Sequence, residues 1–524
     1  MYKKIFKNFE LFFFILIIII FSFTFNFYYA NIGVFPIDTF LHYDSAYRIL
    51  NNEYPIRDYW AVTSIFVDFL AALTFKVGGV NWLSHIIHSS LFNVFISLLT
   101  FFFFLKIDLE KKYAFFYTLL FSILAYPPSG TPFVDHHAAF FMLAGAYLSI
   151  IAIKEKNIKY WCIAPFLFFF SFLSKQVPLA YFAIFFIPII LFYCITQKNF
   201  KPLITCIIST IIILTIFLLC LFILKIEFKD FLTQYILYPQ SIGTNRSINL
   251  PNINLNTFFN NYKFILIPYL AFLYINFAYI KKKEIKLKNE NLCILLMMTN
   301  LIFSLILHQT LTKNQIFIYF LIPVLAGFFH SRLTSIELKK NLILVLMITL
   351  FTITTTYKYH TRYNESRKFH DLENVNFNNY IEASEIDISL KRLKWTTKLF
   401  EKNLNKEINI IKSTIKKLEQ DNDNIILITN YSFLSAITNK KLFSPSKYYT
   451  ADGVAYPLKG NKYYDYYRNF FISIIKKNNI KKIYLLKNEK INENTVTDYL
   501  DKSCLETLED QHIKYFLISK NCYN

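Results

Sequence analysis

The sequence predicts a polytopic α-helical membrane protein that carries a small C-terminal α/β domain outside the membrane. Three observations predict it. Of the 524 residues, 55% are hydrophobic and 19% aromatic, and the mean hydropathy is positive, a balance too apolar for a water-soluble globule. Apolar runs long enough to span a bilayer recur along the first two-thirds of the chain. Beyond about residue 357 the chain turns polar and charged. Glycine is scarce, with nine residues, while Phe, Ile, Lys and Asn abound, so compositional drift explains part of the net charge of +21. The remainder suits an anionic lipid surface rather than nucleic acid.

The first apolar segment reads as a retained helix. Residues 11 to 37 carry no charge, which exceeds the length of a cleavable hydrophobic region, and "FNFYYANIG" offers no small-x-small cleavage site. Lys3, Lys4 and Lys7 precede it and predict a cytoplasmic N-terminus. With this span at 9–29, further runs at 82–105, 113–127, 137–153, 160–174, 177–196, 202–224, 264–280, 291–308, 315–330 and 341–357 make about eleven. Residues 62–77 ("VTSIFVDFLAALTFKV") are apolar but broken by Asp68, and read as an interfacial or partly inserted helix.

Charge gives the orientation. The connections "KIDLEKK", "KEKNIK", "QKNFK", "KKKEIKLKN" and "HSRLTSIELKKN" are short and rich in Lys, as cytoplasmic loops are. The opposite connections, "PPSGTPFVDHH", "LSKQ", residues 225–263 and "HQTLTKNQ", hold fewer basic residues for their length. An odd number of spans then leaves the region after residue 357 outside. Residues 1–357 thus form a membrane domain, with a first outside loop at 30–60, and 358–524 an exported domain. Within the latter, "NIILITN" and "KKIYLLKN" read as buried strands, "YYRNFFISIIKKNN" as a helix, "NTVTDYLDKSCLETLED" as a second helix and "KYFLIS" as a third strand. Of seven cysteines, Cys162, Cys194, Cys206, Cys220 and Cys293 lie in or beside apolar runs as packing residues. Cys504 and Cys522 lie in the polar tail and are placed to form a disulfide.

The chemistry concentrates in "GVFPIDTFLHYDSAYRILNNEYPIRDYW", residues 33 to 60. Pro36 sets up a turn, and Asp38 stands where it could cap a helix over about 39–51. Asp38 and His42 are one turn apart on that helix, so the carboxylate could orient the imidazole; Asp44 and Arg48 stand in the same relation. Two readings are open. Asp38 is a cap and Asp44–Arg48 a solvated ion pair, or these ionisable groups line a substrate path where a membrane cavity opens. Three further polar clusters fall on the predicted outer side. "FVDHH" supplies Asp135, His136 and His137, either as ligands of a divalent metal or as interfacial polar groups. "LSKQVP" sets Lys175 between two spans, where it either snorkels or meets a phosphate. "HQTLTKNQ" supplies His308, Lys313 and Gln315, and Arg246 on the long outside loop is a further phosphate candidate.

A first span, an acidic outside loop, "AYRILNNEYPIRDYW" and the apolar "FVDFLAALTFKVGGVNWL" together resemble the membrane glycosyltransferases of the GT-C fold. The nearest likeness is to the bacterial group related to glycosyltransferase family 39, which includes protein mannosyltransferases, the aminoarabinose transferase of lipid A and rhizobial core galacturonosyltransferases. The resemblance covers roughly residues 30–180 and loosens toward 357. It implies an inner-membrane enzyme moving a sugar from a polyprenyl-phosphate donor to a lipid, glycan or protein acceptor on the periplasmic face. An acidic residue of the first loop would act as base or help hold a metal and the phosphate. Aligned on "AYRIL", Asp38 takes the family's acidic position, with Thr39 and Phe40 where Glu and Gly usually follow. The paired acid is missing, and Asp44 is its candidate replacement. Such chemistry needs a base on the acceptor hydroxyl and cations for the departing phosphate, roles that fall to Asp38 or Asp44 and to Lys175, Arg246 and Lys313. The rival readings are an oligosaccharide polymerase or ligase, and a lipid-linked sugar transporter or assembly factor. A transporter would place its charges at mid-membrane rather than at the outer ends of spans.

Overall fold

A computed structural model describes residues 2–247, 255–283, 289–312, 318–335, 342–486, 491, 493–510 and 512–519. Helix α1 (Tyr2–Ala30) opens the chain, followed by α2 (Pro36–Leu50), α3 (Ile65–Gly78), α4 (Trp82–Lys106), α5 (Lys111–Leu124), α6 (Val134–Glu155), α7 (Ile158–Ser174), α8 (Leu179–Gln197) and α9 (Lys201–Ile223). A single turn, α10 (Phe228–Phe231), runs through a π-helical stretch into α11 (Tyr238–Ser247). Then come α12 (Leu255–Lys283), α13 (Asn289–Thr312), α14 (Leu321–Ser335) and α15 (Leu342–His360). The C-terminal portion holds β1 (Ile381–Glu382), β2 (Lys394–Trp395), α16 (Leu404–Gln420), β3 (Ile425–Ile428), α17 (Leu434–Ile437), α18 (Tyr464–Lys477), β4 (Lys482–Leu486), β5 (Leu505–Glu509) and β6 (Ile513–Ile518).

Among the described residues, seven helices are long and apolar enough to cross a membrane: Phe9–Ala30, Trp82–Lys106, Val134–Glu155, Leu179–Gln197, Lys201–Ile223, Glu290–Thr312 and Leu342–His370. Two shorter apolar helices, Ile158–Ser174 and Leu321–Leu333, also fall on predicted spans. The expected spans at 113–127 and 264–280 fall on α5 and α12. With 14 residues, α5 reaches only about 21 Å, short of a hydrocarbon core of roughly 30 Å. The first turns of α12 carry Asn256, Asn260, Asn261 and Lys263, and its apolar run begins only after them.

The chain divides into two compact units. The first comprises Met1–Asn31, Ile86–Ile216 and Asn249–Asn374. Its centre is α6, buried at every residue from Val134 to Ile153. Gly145 permits that burial: a Cβ there would stand 2.4 Å from the Phe168 ring of α7, so only glycine lets the two helices pack this closely. Beside it the Ser171 hydroxyl donates to the Ala138 carbonyl at 2.7 Å. Polar side chains tie the rest where water is scarce. Asn26 of α1 donates to Ser90 of α4 at 3.0 Å and to the Gly130 carbonyl at 3.1 Å. The buried Arg367 guanidinium donates to the carbonyls of Pro127 and Ser129, at 2.8 and 3.0 Å.

The second unit comprises Ile32–His85, Phe217–Ile248 and Val375–Asn524, so the acidic first loop and the C-terminal stretch build one body. Its sheet has the order β3-β4-β6-β5. Strands β3 and β4 are parallel, in register Ile425↔Lys482, with α18 between them in the chain, as a parallel crossover requires. Strand β6 pairs antiparallel with both β4 and β5. The last of these differs from the predicted second helix: "LETLE" forms β5, which turns at Asp510 into β6, where the Asp510 amide donates to the Ile513 carbonyl at 2.8 Å. A helical spacing too short to bury a face lost here to an edge hairpin that completes the sheet. Trp60 from the first loop joins Tyr238, Tyr467, Phe471, Ile483 and Phe516 in the unit's core.

Candidate functional site

In the second unit the site grows out of α2. That helix starts at Pro36 rather than at residue 39, because a proline at the first helical position loses no hydrogen bond. Its N-cap is Phe35, whose amide donates to Thr39 Oγ1 at 3.0 Å. Asp38 is therefore not the cap. It lies partly buried in the first turn, where the helix dipole favours a negative charge. From Thr39 to Ile49 every residue is buried.

Within that buried stretch the expected pairings change partners. His42 is oriented by Asp68 of α3 rather than by Asp38, with Nδ1 2.7 Å from Oδ1. A carboxylate only accepts, so Nδ1 carries the proton, and burial lowers the His42 pKa and keeps the ring neutral. The second oxygen of Asp68 accepts from the Lys447 ammonium at 2.5 Å, and Lys447 also donates to the Ser64 hydroxyl. All three ionisable side chains are buried, so the cluster persists only because each charge is matched. Lys447 is delivered by a loop that Asn430 clamps. The Asn430 amide donates to the Tyr449 carbonyl at 3.1 Å and accepts from the Tyr449 amide at 3.0 Å.

Two residues further along α2, Asp44 accepts from the Ser435 hydroxyl of α17 rather than forming a solvated pair with Arg48. Arg48 instead donates to Glu53 at 2.9 Å and to the Ser444 carbonyl at 3.0 Å, with its guanidinium 4.0 Å over the Tyr59 ring. Burial pushes the Asp44 carboxyl up from 3.8 to about 6, only partly offset by Arg48 and Ser435. A carboxyl whose pKa is higher folded than unfolded binds its proton more tightly in the fold. Stability is therefore fullest below 3.8 and falls as pH rises toward 6, by on the order of 3 kcal/mol at about 1.4 kcal/mol per unit. Replacing Asp44 with Asn should flatten the thermal-stability profile in that window. A profile that keeps its slope would show the titrating group to lie elsewhere.

The first unit holds a separate cluster. Asp135, in the first turn of α6, accepts from Lys175 at 2.7 and 2.9 Å and from His308 Nε2 of α13 at 2.7 Å. Three segments far apart in sequence thus meet at one carboxylate. The adjacent histidines make contacts of their own. His137 takes Tyr126 at 2.8 Å on Nδ1 and faces His88 at 3.1 Å on Nε2, while the His136 ring stacks on Tyr126 with centroids 4.8 Å apart. Successive side chains on a helix diverge by about 100°. Among the described residues no group of three His, Cys, Asp or Glu side chains could hold a metal ion.

Lys313, Gln315 and Cys522 lie outside the described residues, and so does the side chain of Arg246, whose backbone lies near the end of α11. Sequence reasoning passed over Asp68, Lys447 and Ser435. Asp68 carried a signal, since a lone charge inside an apolar stretch needs a buried partner. Compared with known proteins, the chain matches no family model and no curated protein.

Proposed function

We propose that this chain is an inner-membrane glycosyltransferase that moves a sugar from a polyprenyl-phosphate donor to a lipid, glycan or protein acceptor on the periplasmic face. In this reading about eleven helices cross the bilayer, the N-terminus is cytoplasmic and the C-terminal domain periplasmic. The observation that carries it is the carboxylate helix α2, which is separated from the first apolar span only by residues 31–35 and holds Asp38 partly exposed in its opening turn. A base must reach the acceptor hydroxyl, and Asp38 is the more reachable of the two candidate carboxylates, since Asp44 is sealed and already accepts from Ser435.

In the reaction Asp38 takes the acceptor proton as the oxygen attacks the anomeric carbon, and the bond to the lipid phosphate breaks. The leaving phosphate needs positive charge to stabilise it. Two measurements test the reading. Membranes containing the protein should transfer label from a polyprenyl-phosphate-linked sugar into an acceptor fraction, and membranes without it should not. Phosphatase fusions should be active after residue 360 and inactive after residue 285; the reverse would put the acidic loop in the cytoplasm and remove the basis for the assignment.

A further inference from the structure

A cleft within the second unit is lined by Arg48 and Glu53 of the first loop and by Lys440, Lys441, Ser446 and Lys447 of the C-terminal stretch. Its lining contains three buried polar groups with no hydrogen-bond partner among the described residues, Nη2 of Arg48, Oγ of Ser446 and the hydroxyl of Tyr449. Buried polar groups are nearly always paired, and a guanidinium nitrogen can only donate, so whatever satisfies Arg48 must be an acceptor.

The charges agree. Arg48 is matched by Glu53 and Lys447 by Asp68. Lys440 and Lys441 donate only to backbone carbonyls, Lys440 to Leu418, Glu419 and Asp421 and Lys441 to Asn51. The three N–H groups of Lys440 are taken by those carbonyls, so it adds only charge to the lining, while Lys441 keeps donors to spare. Together they set two uncompensated positive charges in the lining against the single remaining carboxylate, Asp44. Size narrows the ligand further. The free space for water-sized groups is only about 20 Å³, too small for a sugar ring, so no more than the head of a ligand enters. A wider neighbouring cleft of about 230 Å³ shares Glu53, Lys441 and Phe443 with it, and offers room for whatever the head is attached to.

We infer that this cleft is an anion site for one phosphate group, with Arg48 and Ser446 as its inner donors and Lys440 and Lys441 as its rim. The inference does not rest on glycosyl transfer, and its test reads binding alone. The phosphate can come from a soluble ion or from a lipid headgroup, and the two sources are separable. The detergent-solubilised full chain is titrated with inorganic phosphate, followed by equilibrium dialysis and thermal unfolding, and then challenged with short-chain phosphatidic acid.

Saturable binding of one phosphate per chain is expected, weakened ~10-fold or more by Ser446→Ala and by Lys441→Gln, each of which removes one donor to a charged acceptor. Ser446→Ala deletes a hydroxyl without a partner and Lys441 is exposed, so both variants should unfold at the wild-type temperature when phosphate is absent. Displacement by phosphatidic acid would identify a lipid headgroup as the occupant, and resistance to displacement a soluble phosphate; either supports the site. Absence of saturable phosphate binding, or binding equal in wild type and both variants, would overturn it.

Discussion

Asp68→Asn is expected to cost the second compact unit about 3–5 kcal/mol, the range for breaking a buried ion pair from one side. The reason lies in what the carboxylate holds. One oxygen accepts from His42 at 2.7 Å and the other from Lys447 at 2.5 Å, with all three side chains buried. Asparagine keeps the shape and can still accept from one partner, but its amide nitrogen must then face a second donor. The Lys447 ammonium would be left buried with no counter-charge. Lys447→Met alone should be costly too, because it strands the Asp68 carboxylate. The pair Asp68→Asn with Lys447→Met removes both charges and should recover a large part of the loss. Thermal unfolding of the purified protein, with protease resistance of the C-terminal stretch as a second probe, measures all three. Additive losses in the double variant would show that the two side chains are not coupled.

Much of the architecture was legible. Apolar runs of twenty or so residues announce helices by composition alone, and the positions of α1, α4, α6, α8, α9, α13 and α15 follow them closely. The same holds for β3, β4 and α18, where short buried runs and a helical spacing leave little choice. The edge of the sheet was less legible, because "LETLE" has only partly buried side chains and carries its information in the pairing with β6 rather than in its own pattern. The site was legible in part. Asp135, Lys175 and His308 stood out as charges at the ends of apolar spans, and they do meet. The α2 cluster did not read correctly, because spacing along one helix reports only neighbours on that helix. The partners that won, Asp68, Ser435 and Lys447, come from another helix and from nearly 400 residues away, as the separations of 391 and 379 for the Ser435 and Lys447 bonds record. No local periodicity carries such a pairing.

The central claim is that the first-loop carboxylate Asp38 is the base of a sugar transfer. Since Phe35 is the cap of α2, replacing Asp38 with Asn removes no cap, and the first-turn charge is worth typically ~0.3–1 kcal/mol. The fold should therefore survive while the basicity is lost. Asp44→Asn belongs beside it, as the buried carboxylate standing where a second acid is missing. The measurement is transfer of labelled sugar from a polyprenyl-phosphate donor by membranes with equal amounts of wild type, Asp38→Asn, Asp44→Asn and the double variant. The account predicts a drop of roughly 10²-fold or more for Asp38→Asn, with protein level and fusion topology unchanged. Loss confined to Asp44→Asn would move the base to Asp44, and near-normal transfer in both single variants and in the double variant would contradict the mechanism.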